Sequence, residues 1–498
     1  MSEPRRRLSL VRIMVLVLVV TGAAGTPFVF RTVTEKLETV AVKSASSFAP
    51  YVDVTATPQY AFEDPTESAA GNVVLGFVVS STAVTCQPSW GTAYSLTTAA
   101  TGIDLDRRIA RLRQRGGEVT VSFGGARNNE LAKTCTDETK LAAAYQSVVD
   151  RYRLTSVDFD IEDATADPVV IGRRAAAVRT VQNAEEAAGR KLAVWLTLPV
   201  SPNGLTPMGT AVLNAMLAAK VELAGVNALV MNYGGSGEGR SMSSLNASAL
   251  TALAGQVASA YAKIGVTLSE DARWQHVAAT PMIGQNDTPD DRFELVDARE
   301  LLAFARARHM RQLSMWSANR DKSCGVNYAD PLVVSDSCSG VEQKTSEFTT
   351  IFQSFVGTTT AVAPSAAVTV KPSDDPSTSP YPIWNSLTSY AKNAKVVRRH
   401  NVYLAKWWTQ GDVPDAPVAN DADTPWTLVG PVLAGEKPAA TPTVSAGTYP
   451  AWLPNHTYVA GDRVQYRGVA YQAKWWTIGD QPGAEVNDPS DTPWQAIS

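Results

Sequence analysis

The chain has 498 residues, 45% of them hydrophobic, and its 44 basic and 48 acidic side chains leave a net charge of −4. This length accommodates one domain of about 250–300 residues together with smaller modules. The small net charge argues against a nucleic-acid partner, and none of the four cysteines has the spacing of a zinc site. We therefore expect no metal and no cofactor, and we expect a monomer.

The N-terminus has the pattern of an export segment. Arg5–Arg7 and Arg12 precede the apolar run Ile13–Val20, and no charged residue occurs from Ile13 to Phe30. The small residues Gly22–Ala24 suit a signal peptidase, whereas the 18 uncharged residues also approach the length of a membrane helix. A signal peptide or signal anchor at 1–30 is expected, followed by a linker at 31–47. Either form places the protein outside the cytoplasm, secreted or anchored to the membrane.

Strand-like and helix-like patterns alternate from 48 to 356. The predicted strands are Tyr51–Val54, Val73–Ser80, Glu118–Phe123, Ser156–Glu162, Leu192–Leu198, Ala228–Asn232, Val277–Ile283 and Gln312–Trp316. The predicted helices include Arg107–Arg115, Thr139–Arg153, Arg173–Arg190, Ala211–Glu222, Ser248–Lys263 and Ala298–Met310. This alternation predicts an α/β fold, a parallel (β/α)8 TIM barrel. A doubly wound open sheet is the alternative, but no Gly-rich phosphate loop follows an early strand.

Acidic and large apolar residues alternate within Val157–Glu162. Alternate residues of a strand share a face, so the carboxyl groups of Asp158, Asp160 and Glu162 are expected to lie together. Three carboxyl groups on a buried strand are costly, which favours a functional site over a structural cluster. Glu162 ends the predicted strand, which places it at the barrel mouth. The apolar residues between the acids argue against a calcium loop.

The last 120 residues contain an internal repeat with a period of 68 residues. Trp384, Tyr390, Tyr403, Trp407, Trp408 and Trp426 recur as Trp452, Tyr458, Tyr471, Trp475, Trp476 and Trp494. Thr-, Ala-, Ser- and Pro-rich segments at 357–380 and 431–448 read as linkers. We therefore predict two small all-β modules, at 381–430 and 449–498, after a catalytic domain at 48–356.

Several motifs resemble those of the family 18 glycoside hydrolases, the chitinase-type (β/α)8 enzymes. Asp158, Asp160 and Glu162 match the last three acids of the family signature on strand four, whose first acid falls on Thr155. The other matching segments are Ser122–Gly125, Met231–Gly234, Thr280–Gly284 and Leu313–Ser317. The resemblance covers roughly 48–355 and implies hydrolysis of chitin, a β-1,4 polymer of N-acetylglucosamine, assisted by the acetamido group of the substrate.

The resemblance also implies roles for individual residues. Glu162 would donate the proton, Asp160 would hold the acetamido N–H, and Asp158 would share a proton with Asp160. Tyr233 would face the acetamido carbonyl group. The implied substrate-binding residues are Trp316, Asn232, Ser122, Gly124, Gly125 and Gln285. Asn232 departs from the usual Asp, so a weaker orienting effect is expected.

Two of these positions have structural alternatives. Trp316 could instead fill the barrel core, and a plain turn is an alternative for the residues from Gln285 to Asp287. Trp90, in a predicted loop near Cys86 and Gly91, is a candidate outer sugar platform.

The segments Ala405–Thr409 and Ala473–Thr477 resemble the Ala-Lys-Trp-Trp-Thr motif of family 5/12 carbohydrate-binding modules. Exposed tryptophans stack on pyranose rings, but a domain of about 50 residues also needs aromatic residues in its core. We expect both, with one ring of each adjacent pair, Trp407–Trp408 and Trp475–Trp476, pointing inward. The first module has Asn393 where the second has Gly461, which predicts weaker binding by the first.

The predicted function is an endo-acting chitinase that binds chitin or a related N-acetylglucosamine polymer. An endo-β-N-acetylglucosaminidase and a non-catalytic chitin lectin are the alternatives, although lectins of this type generally lose the residue that Glu162 represents. The four cysteines are either free buried thiols or two disulfides, with Cys86–Cys135 and Cys324–Cys338 as the candidate pairs.

Overall fold

The computed structural model describes residues 46–497 except 66–67, 69, 163–166, 235–238, 327, 329, 331, 357–373, 417, 419–422, 439–442 and 485–491. The predicted signal or anchor at 1–30 and most of the linkers at 31–47 and 357–380 lie outside the described residues. Within the described part of the chain, no helix combines the length and the apolar character needed to cross a membrane.

The helices and strands follow the predicted alternation. The strands are β1 Ser47–Phe48, β2 Tyr51–Asp53, β3 Val73–Ser80, β4 Pro88–Trp90, β5 Tyr94–Ser95, β6 Val119–Gly124, β7 Ser156–Asp160, β8 Ala193–Ser201, β9 Gly204–Leu205, β10 Leu223–Leu229, β11 Val277–Thr280, β12 Gly284–Gln285, β13 Arg292–Phe293 and β14 Gln312–Leu313. The helices are α1 Leu96–Gly102, α2 Leu105–Gln114, α3 Leu131–Thr134, α4 Glu138–Tyr152, α5 Pro168–Ala187, α6 Pro207–Ala218, α7 Met242–Lys263, α8 Glu270–Trp274, α9 Leu295–Ala307 and α10 Glu347–Gln353, with a 3₁₀ turn at Ala318–Arg320.

Contacts group the chain into two compact units. The first spans Met1–Tyr60, Asn72–Thr92 and Thr120–Thr358, and the second spans Ala61–Gly71, Ala93–Val119 and Thr359–Ser498. This grouping differs from the predicted division into a catalytic domain and separate modules. The reason is a set of contacts that join α2 to the C-terminal part of the chain, described below.

The first unit is built on a largely parallel sheet with the order β1-β14-β11-β10-β8-β7-β6-β3-β4, and β2 pairs with β3. The segment containing β1 and β2 is bonded on both sides. On one side the Ala49 N–H donates to the Leu313 carbonyl (3.1 Å), and on the other the Val74 N–H donates to the Pro50 carbonyl (2.9 Å). The segment containing β1 and β2 therefore joins β14 to β3 through backbone hydrogen bonds.

Alternation within β6 and β7 sorts the side chains onto two faces. Phe123 and Phe159 pair in register and stack with ring centroids 5.2 Å apart, and Tyr145 of α4 meets both rings edge-on. Because neighbours along a strand point to opposite faces, Ser122 and Asp158 point away from that helix. The aromatic packing therefore directs the acidic face of β7 toward the interior of the sheet.

The structure moves several predicted boundaries. Helices α5, α6 and α7 begin four to six residues before their predicted starts, because Asp167, Thr206 and Ser241 cap them through their side chains. The predicted strand Ala228–Asn232 was placed too late, since β10 ends at Leu229. The apolar residues that follow, Val230 and Met231, lie beyond the strand.

The second unit contains two small β structures with the same strand arrangement. The first consists of β15 Ser389–Tyr390, β16 Lys395–Arg398, β17 Asn401–Ala405, β18 Thr409–Gln410 and β19 Trp426–Pro431. The second consists of β20 Thr457–Tyr458, β21 Arg463–Tyr466, β22 Val469–Ala473, β23 Thr477–Ile478 and β24 Trp494–Ile497. Each has a three-stranded sheet and a two-stranded ribbon, so the sequence repeat corresponds to a structural repeat.

Helix α2 packs against β19, the last strand of the first repeat. Arg107 donates to the Pro431 carbonyl and pairs with Glu436, and Arg111 donates to the Leu428 carbonyl. A Cβ at Gly430 would meet the Arg107 Cγ at 2.8 Å, so glycine permits this close approach. These contacts within the second unit explain why α2 groups with the C-terminal residues.

Candidate active site

Strand β7 ends at Asp160, so Glu162 lies two residues beyond the strand instead of at its last position. The ladder continues for one residue, because the Ile161 N–H donates to the Thr197 carbonyl at 2.9 Å. Asp158 and Asp160 are buried, whereas Glu162 is half-buried. The three carboxyl groups thus run from the interior of the sheet toward its C-terminal edge.

Asp158 is surrounded by hydroxyl donors. Tyr51 (2.7 Å) and Ser122 (2.6 Å) donate to its Oδ2, and Thr197 donates to its Oδ1 (2.7 Å). Burial raises the pKa of Asp158, and the three hydroxyl donors counteract this rise. Asp158 is therefore the better stabilised of the two buried carboxyl groups as an anion.

Asp160 is in the opposite situation. Its Oδ1 atom is buried and has no hydrogen-bond partner among the described residues. Burial first, and then the charges of Glu162 and Asp158, raise the pKa of Asp160 well above its usual value. A proton held by this pair of carboxyl groups is therefore expected on Asp160.

Glu162 has the properties of a general acid. Burial, assisted by the negative charge of Asp287, raises the pKa of Glu162 to about 7. A carboxyl group with this pKa is partly protonated near neutral pH and can donate its proton there. The residue that the sequence singles out as the acid thus lies in an environment suited to that role.

Asp160 and Glu162 line a cleft of about 340 Å³. Asp160, Glu162, Asn232, Asp287 and Trp316 all contribute to its wall. Volumes of about 300–1,000 Å³ are typical of small-molecule sites.

Trp316 forms an apolar surface of the cleft. It is partly buried and stacks on Phe77, with the ring centroids 5.5 Å apart and an interplanar angle of 26°. The aromatic contact orients the Trp316 ring while leaving part of it open to the cleft. Both sequence-based alternatives for this residue are therefore partly met, because it packs and it lines the site.

The segment Ser122–Gly125 supports the acids from below and does not form a surface of the cleft. Ser122 is fully buried against Asp158. Gly124 and Gly125 have φ of 107° and 83°, and a Cβ on Gly124 would lie 2.1 Å from the Asp160 carbonyl oxygen. Gly124 lets β6 pass directly beside the end of β7, and a Cβ on Gly125 would meet the Phe77 ring at 2.9 Å. The structure gives these three residues a supporting role, and their contact with substrate stays a prediction.

Tyr233, which the family resemblance places at the acetamido carbonyl group, lies in the interior of the protein. Its side chain is buried, and its hydroxyl donates to the Asn246 Oδ1 of α7 at 3.0 Å. Burial raises the pKa of Tyr233 above the usual value for a tyrosine. In the described structure Tyr51 lines the cleft instead, beside Asp160.

Gln285, a predicted substrate-binding residue, lies within the turn and not among the residues that line the cleft. It is buried, and its Nε2 donates to the carbonyl groups of Asn286, Pro289 and Asp291 at 3.0–3.3 Å. Gln285 therefore holds together the turn that follows it, as the alternative interpretation expected. The cleft-lining residue of this turn is Asp287.

Polar groups beneath the acids are the part of the site that sequence reasoning missed. Asn227 donates to Thr197 (3.0 Å) and Thr280 (2.7 Å), and the Thr197 and Tyr51 hydroxyls lie 2.9 Å apart. Tyr51, Thr197 and Thr280 occupy core-facing positions of predicted strands, so a polar residue at such a position was the available signal. Asn227 precedes the predicted strand Ala228–Asn232 and gave no such signal. The network fixes the hydroxyl groups that surround Asp158.

Two disulfides lie in the first unit, Cys86–Cys135 and Cys324–Cys338.

Trp90, the candidate outer sugar platform, is fully buried, and its indole N–H donates to the Tyr152 hydroxyl at 2.9 Å. Trp90 therefore belongs to the core. No group of three or more acidic, His or Cys side chains suited to a metal ion occurs among the residues that the structure describes.

Both tryptophans of each adjacent pair are exposed, contrary to the expected alternation. The exposed fractions are 46% and 62% for Trp407 and Trp408, and 42% and 61% for Trp475 and Trp476. These residues follow β17 and β22 and lie outside the strands, so strand alternation does not apply to them. The cores are filled by other aromatic residues, chiefly Tyr390 with Trp426 and Tyr458 with Trp494.

Known proteins resemble two parts of this chain. Residues 451–495 match the model of carbohydrate-binding module family 5/12. The chain is 36% identical over 289 residues to the "Probable bifunctional chitinase/lysozyme" of Escherichia coli (strain K12), covering 56% of this chain and 31% of that protein. It is 36% identical over 288 residues to "Endochitinase 11" of Metarhizium anisopliae, covering 55% of this chain and 52% of that protein. The chain thus spans about a third and about half of these two relatives.

The structure is similar to the catalytic domain of a hyperthermophilic chitinase from Pyrococcus furiosus. The TM-score is 0.54 at 26% identity, and the match covers 63% of this chain and 97% of that domain. The chain therefore contains a chitinase-like catalytic domain. The chitinase-like α/β fold and the family 5/12 module agree with the fold class expected from the sequence.

Proposed function

We propose that the protein is an exported, endo-acting chitinase that cleaves β-1,4 linkages between N-acetylglucosamine units with retention of configuration. The observation that carries the proposal is Glu162, a half-buried acid with a pKa of about 7, in a cleft with buried Asp160. A closed (β/α)8 barrel is part of the proposal, supported by the backbone bonds of the first strand to both neighbours. A second chitin-binding module at 381–430 is another part, supported by its repeated strand arrangement.

In the first step, the Glu162 carboxyl group donates its proton to the oxygen of the glycosidic bond. The bond from this oxygen to C1 breaks while the acetamido carbonyl oxygen of the same sugar bonds to C1. An oxazolinium ion and an alcohol leaving group result, and Glu162 becomes a carboxylate. The acetamido N–H donates a hydrogen bond to Asp160. When the proton of Asp160 moves to Asp158, the Asp160 carboxylate stabilises the positive charge of the oxazolinium ring.

In the second step, water attacks C1 from the face that the leaving group vacated. The Glu162 carboxylate takes the proton of this water, the C1–oxygen bond of the oxazolinium ring breaks, and the acetamido group is restored. Two displacements at C1 leave the configuration unchanged, so the product is the β-anomer. Trp316 supplies the apolar surface beneath the reacting sugar.

A carboxylate nucleophile is disfavoured by the surroundings of Asp160. This residue is buried and its raised pKa favours the protonated form, which is a poor nucleophile. Asp158 lies deeper, where three hydroxyl groups occupy its oxygens. A nucleophile supplied by the substrate resolves this, because the protein then needs only one proton donor.

The reaction can be tested on the unmodified protein. We expect release of N-acetylglucosamine oligomers from chitin oligomers, with the β-anomer formed first in proton NMR spectra recorded during hydrolysis. Cello-oligomers, which lack the acetamido group, are the matched control and should not be cleaved. An α-anomer as the first product, or equal cleavage of cello-oligomers, would contradict the proposal.

The exposed tryptophan pairs are expected to bind the polymer. Replacing Trp475 and Trp476 together with alanine should weaken chitin binding by roughly tenfold or more, about 1.4 kcal/mol, because stacking on the sugar rings is lost. Binding is measured by depletion from chitin suspensions, and hydrolysis of short soluble oligomers should be unaffected. Unchanged depletion would contradict the assignment.

The same exchange at Trp407 and Trp408 tests the first module separately. Asn393 has φ of 72° and its N–H donates to the Ala405 carbonyl at 2.8 Å, while Gly461 has φ of 97° and bonds Ala473 at the same distance. The two turns are therefore alike. The expected weakness of the first module has no basis in this turn, and similar losses are expected for both pairs.

A further inference from the structure

The turn after β12 is attached to Asn232 by three hydrogen bonds. Asn286 Oδ1 accepts the Asn232 N–H (3.2 Å), Asn232 Nδ2 donates to Asp287 Oδ2 (3.2 Å), and Asn232 Oδ1 accepts the Thr288 N–H (3.3 Å). Asn286 is itself buried and donates to the carbonyl groups of Met282 and Gly284 at 2.9 and 3.0 Å. The turn is thus fixed on both sides of Asp287.

This attachment holds the carboxyl group of Asp287 at the cleft. Asp287 and Glu162 both line the cleft, although they come from segments that follow different strands. Asn232 is neutral, so it can hold the Asp287 carboxylate by a hydrogen bond but adds no charge of its own. A negative charge near a carboxyl group disfavours its ionisation.

We propose that Asp287 is a positioning residue for the proton donor: its carboxylate adds to burial in favouring the protonated form of Glu162, and Asn232 holds Asp287 in place. The inference rests on the proposed function, because it assigns Asp287 a task in the chemistry of Glu162. It also gives Asn232 a defined role in orienting a protein side chain, in addition to any contact with the sugar.

Other charged groups face the same cleft and define what the effect of Asp287 is measured against. Asp160 and Asp158 lie on β7, the strand that leads to Glu162, and the charge of Glu162 acts on Asp160. Asp53, at the end of β2, also lines the cleft. Arg127 and Asp336 line the outer cleft and are exposed, at a separation of 4.0 Å. Arg320 is fully buried and donates to the Gln285 carbonyl at 2.6 Å. Burial lowers the pKa of Arg320, and the negative charge of Asp287 partly offsets this.

The cations do not remove the effect of Asp287. The contribution of Asp287 raises the pKa of Glu162 with Arg127 and Arg320 in place. Asp287 is therefore the carboxylate outside β7 whose removal should change the proton affinity of Glu162.

The test compares Asp287→Asn with Asp290→Asn, an exposed acid three residues further along the chain. Removing the charge of Asp287 favours the Glu162 carboxylate, so the alkaline limb of kcat/KM should move to lower pH by about half a unit or more. Asp290→Asn should leave the profile unchanged, and Asp287→Glu should restore the limb. Coincident profiles for Asp287→Asn and the unmodified protein, or a loss of equal size at every pH, would overturn the inference.

A second measurement does not depend on activity. The titration of the Glu162 carboxyl carbon, followed by ¹³C NMR and assigned by its loss in Glu162→Gln, should shift to lower pH in Asp287→Asn. Asn232→Ala should shift it in the same direction, because it releases Asp287. An unchanged titration in a folded Asp287→Asn protein would overturn the inference. Failure of the unmodified protein to cleave chitin oligomers would instead refute the proposed function.

Discussion

Replacing Glu162 with glutamine is expected to lower kcat on chitin oligomers by about 100- to 10,000-fold. This is the usual contribution of a general acid, and the glutamine amide has nearly the same shape but no proton to donate. Binding of the oligomer should persist, because Trp316 and the other walls of the cleft are unchanged. The measurement is the rate of release of reducing ends under single-turnover conditions, together with Kd from calorimetry.

Glu186→Gln is the matched control for this variant. Glu186 is exposed on the helix Pro168–Ala187 and belongs to the same unit, so the same exchange should leave the rate unchanged. The hypothesis for Glu162 would be wrong if Glu162→Gln retained more than about a tenth of the activity. A loss of binding equal to the loss of rate would also contradict it, since it would indicate a disrupted cleft.

The Asp160→Asn exchange should change both the reaction rate and the pH dependence of stability. The rate should fall by about 100- to 1,000-fold, because the variant cannot provide a carboxylate beside the positively charged intermediate. The stability should depend less on pH. An acid whose pKa is raised in the folded protein binds its proton more tightly there, so folding loses stability as pH rises above the unfolded pKa of about 4 toward the folded value. Asparagine cannot ionise and removes this loss.

The comparison uses melting temperatures at pH 4 and pH 8. Asp160→Asn should gain stability relative to the unmodified protein as the pH rises through this window. Asp53→Asn, a partly buried acid at the end of the strand Tyr51–Asp53, is the control and should show no comparable gain. Equal pH dependence in Asp160→Asn and the unmodified protein would show that Asp160 is not the site of the buried proton.

Local rules were sufficient for the acidic strand. Alternation in Val157–Glu162 correctly places Asp158 and Asp160 on the interior face, because Phe159 packs against an aromatic residue of the neighbouring strand. The repeat of 68 residues likewise predicts two alike β structures, because each copy contains the aromatic residues needed for its own core. These features depend on contacts between neighbouring elements or on repetition, which sequence patterns capture.

Side-chain direction beyond the strand ends could not be predicted in this way. Tyr233 lies four residues after the end of its strand, where Asn246 of the next helix determines its position. Gln285 satisfies three carbonyl groups of its own turn, and nothing in its local sequence distinguishes this from contact with a sugar. The tryptophan pairs follow the same rule, since they lie in bends where alternation no longer applies.

The two copies of the repeat differ in one respect that matters when the protein is shortened: the last strand of the first copy, β19, contacts Arg107 and Arg111. Residues 428–431 provide carbonyl acceptors for Arg107 and Arg111, which are nearly inaccessible to solvent. Chain termination after residue 356 would remove the Pro431 and Leu428 carbonyl acceptors and Glu436, which are partners of these two guanidinium groups. Termination after residue 438 would keep the contacts of Arg107 and Arg111 with residues 428–431 and Glu436, and would remove only the second copy of the repeat. The smallest well-behaved fragment is therefore expected to end near residue 438, well past the catalytic sequence itself.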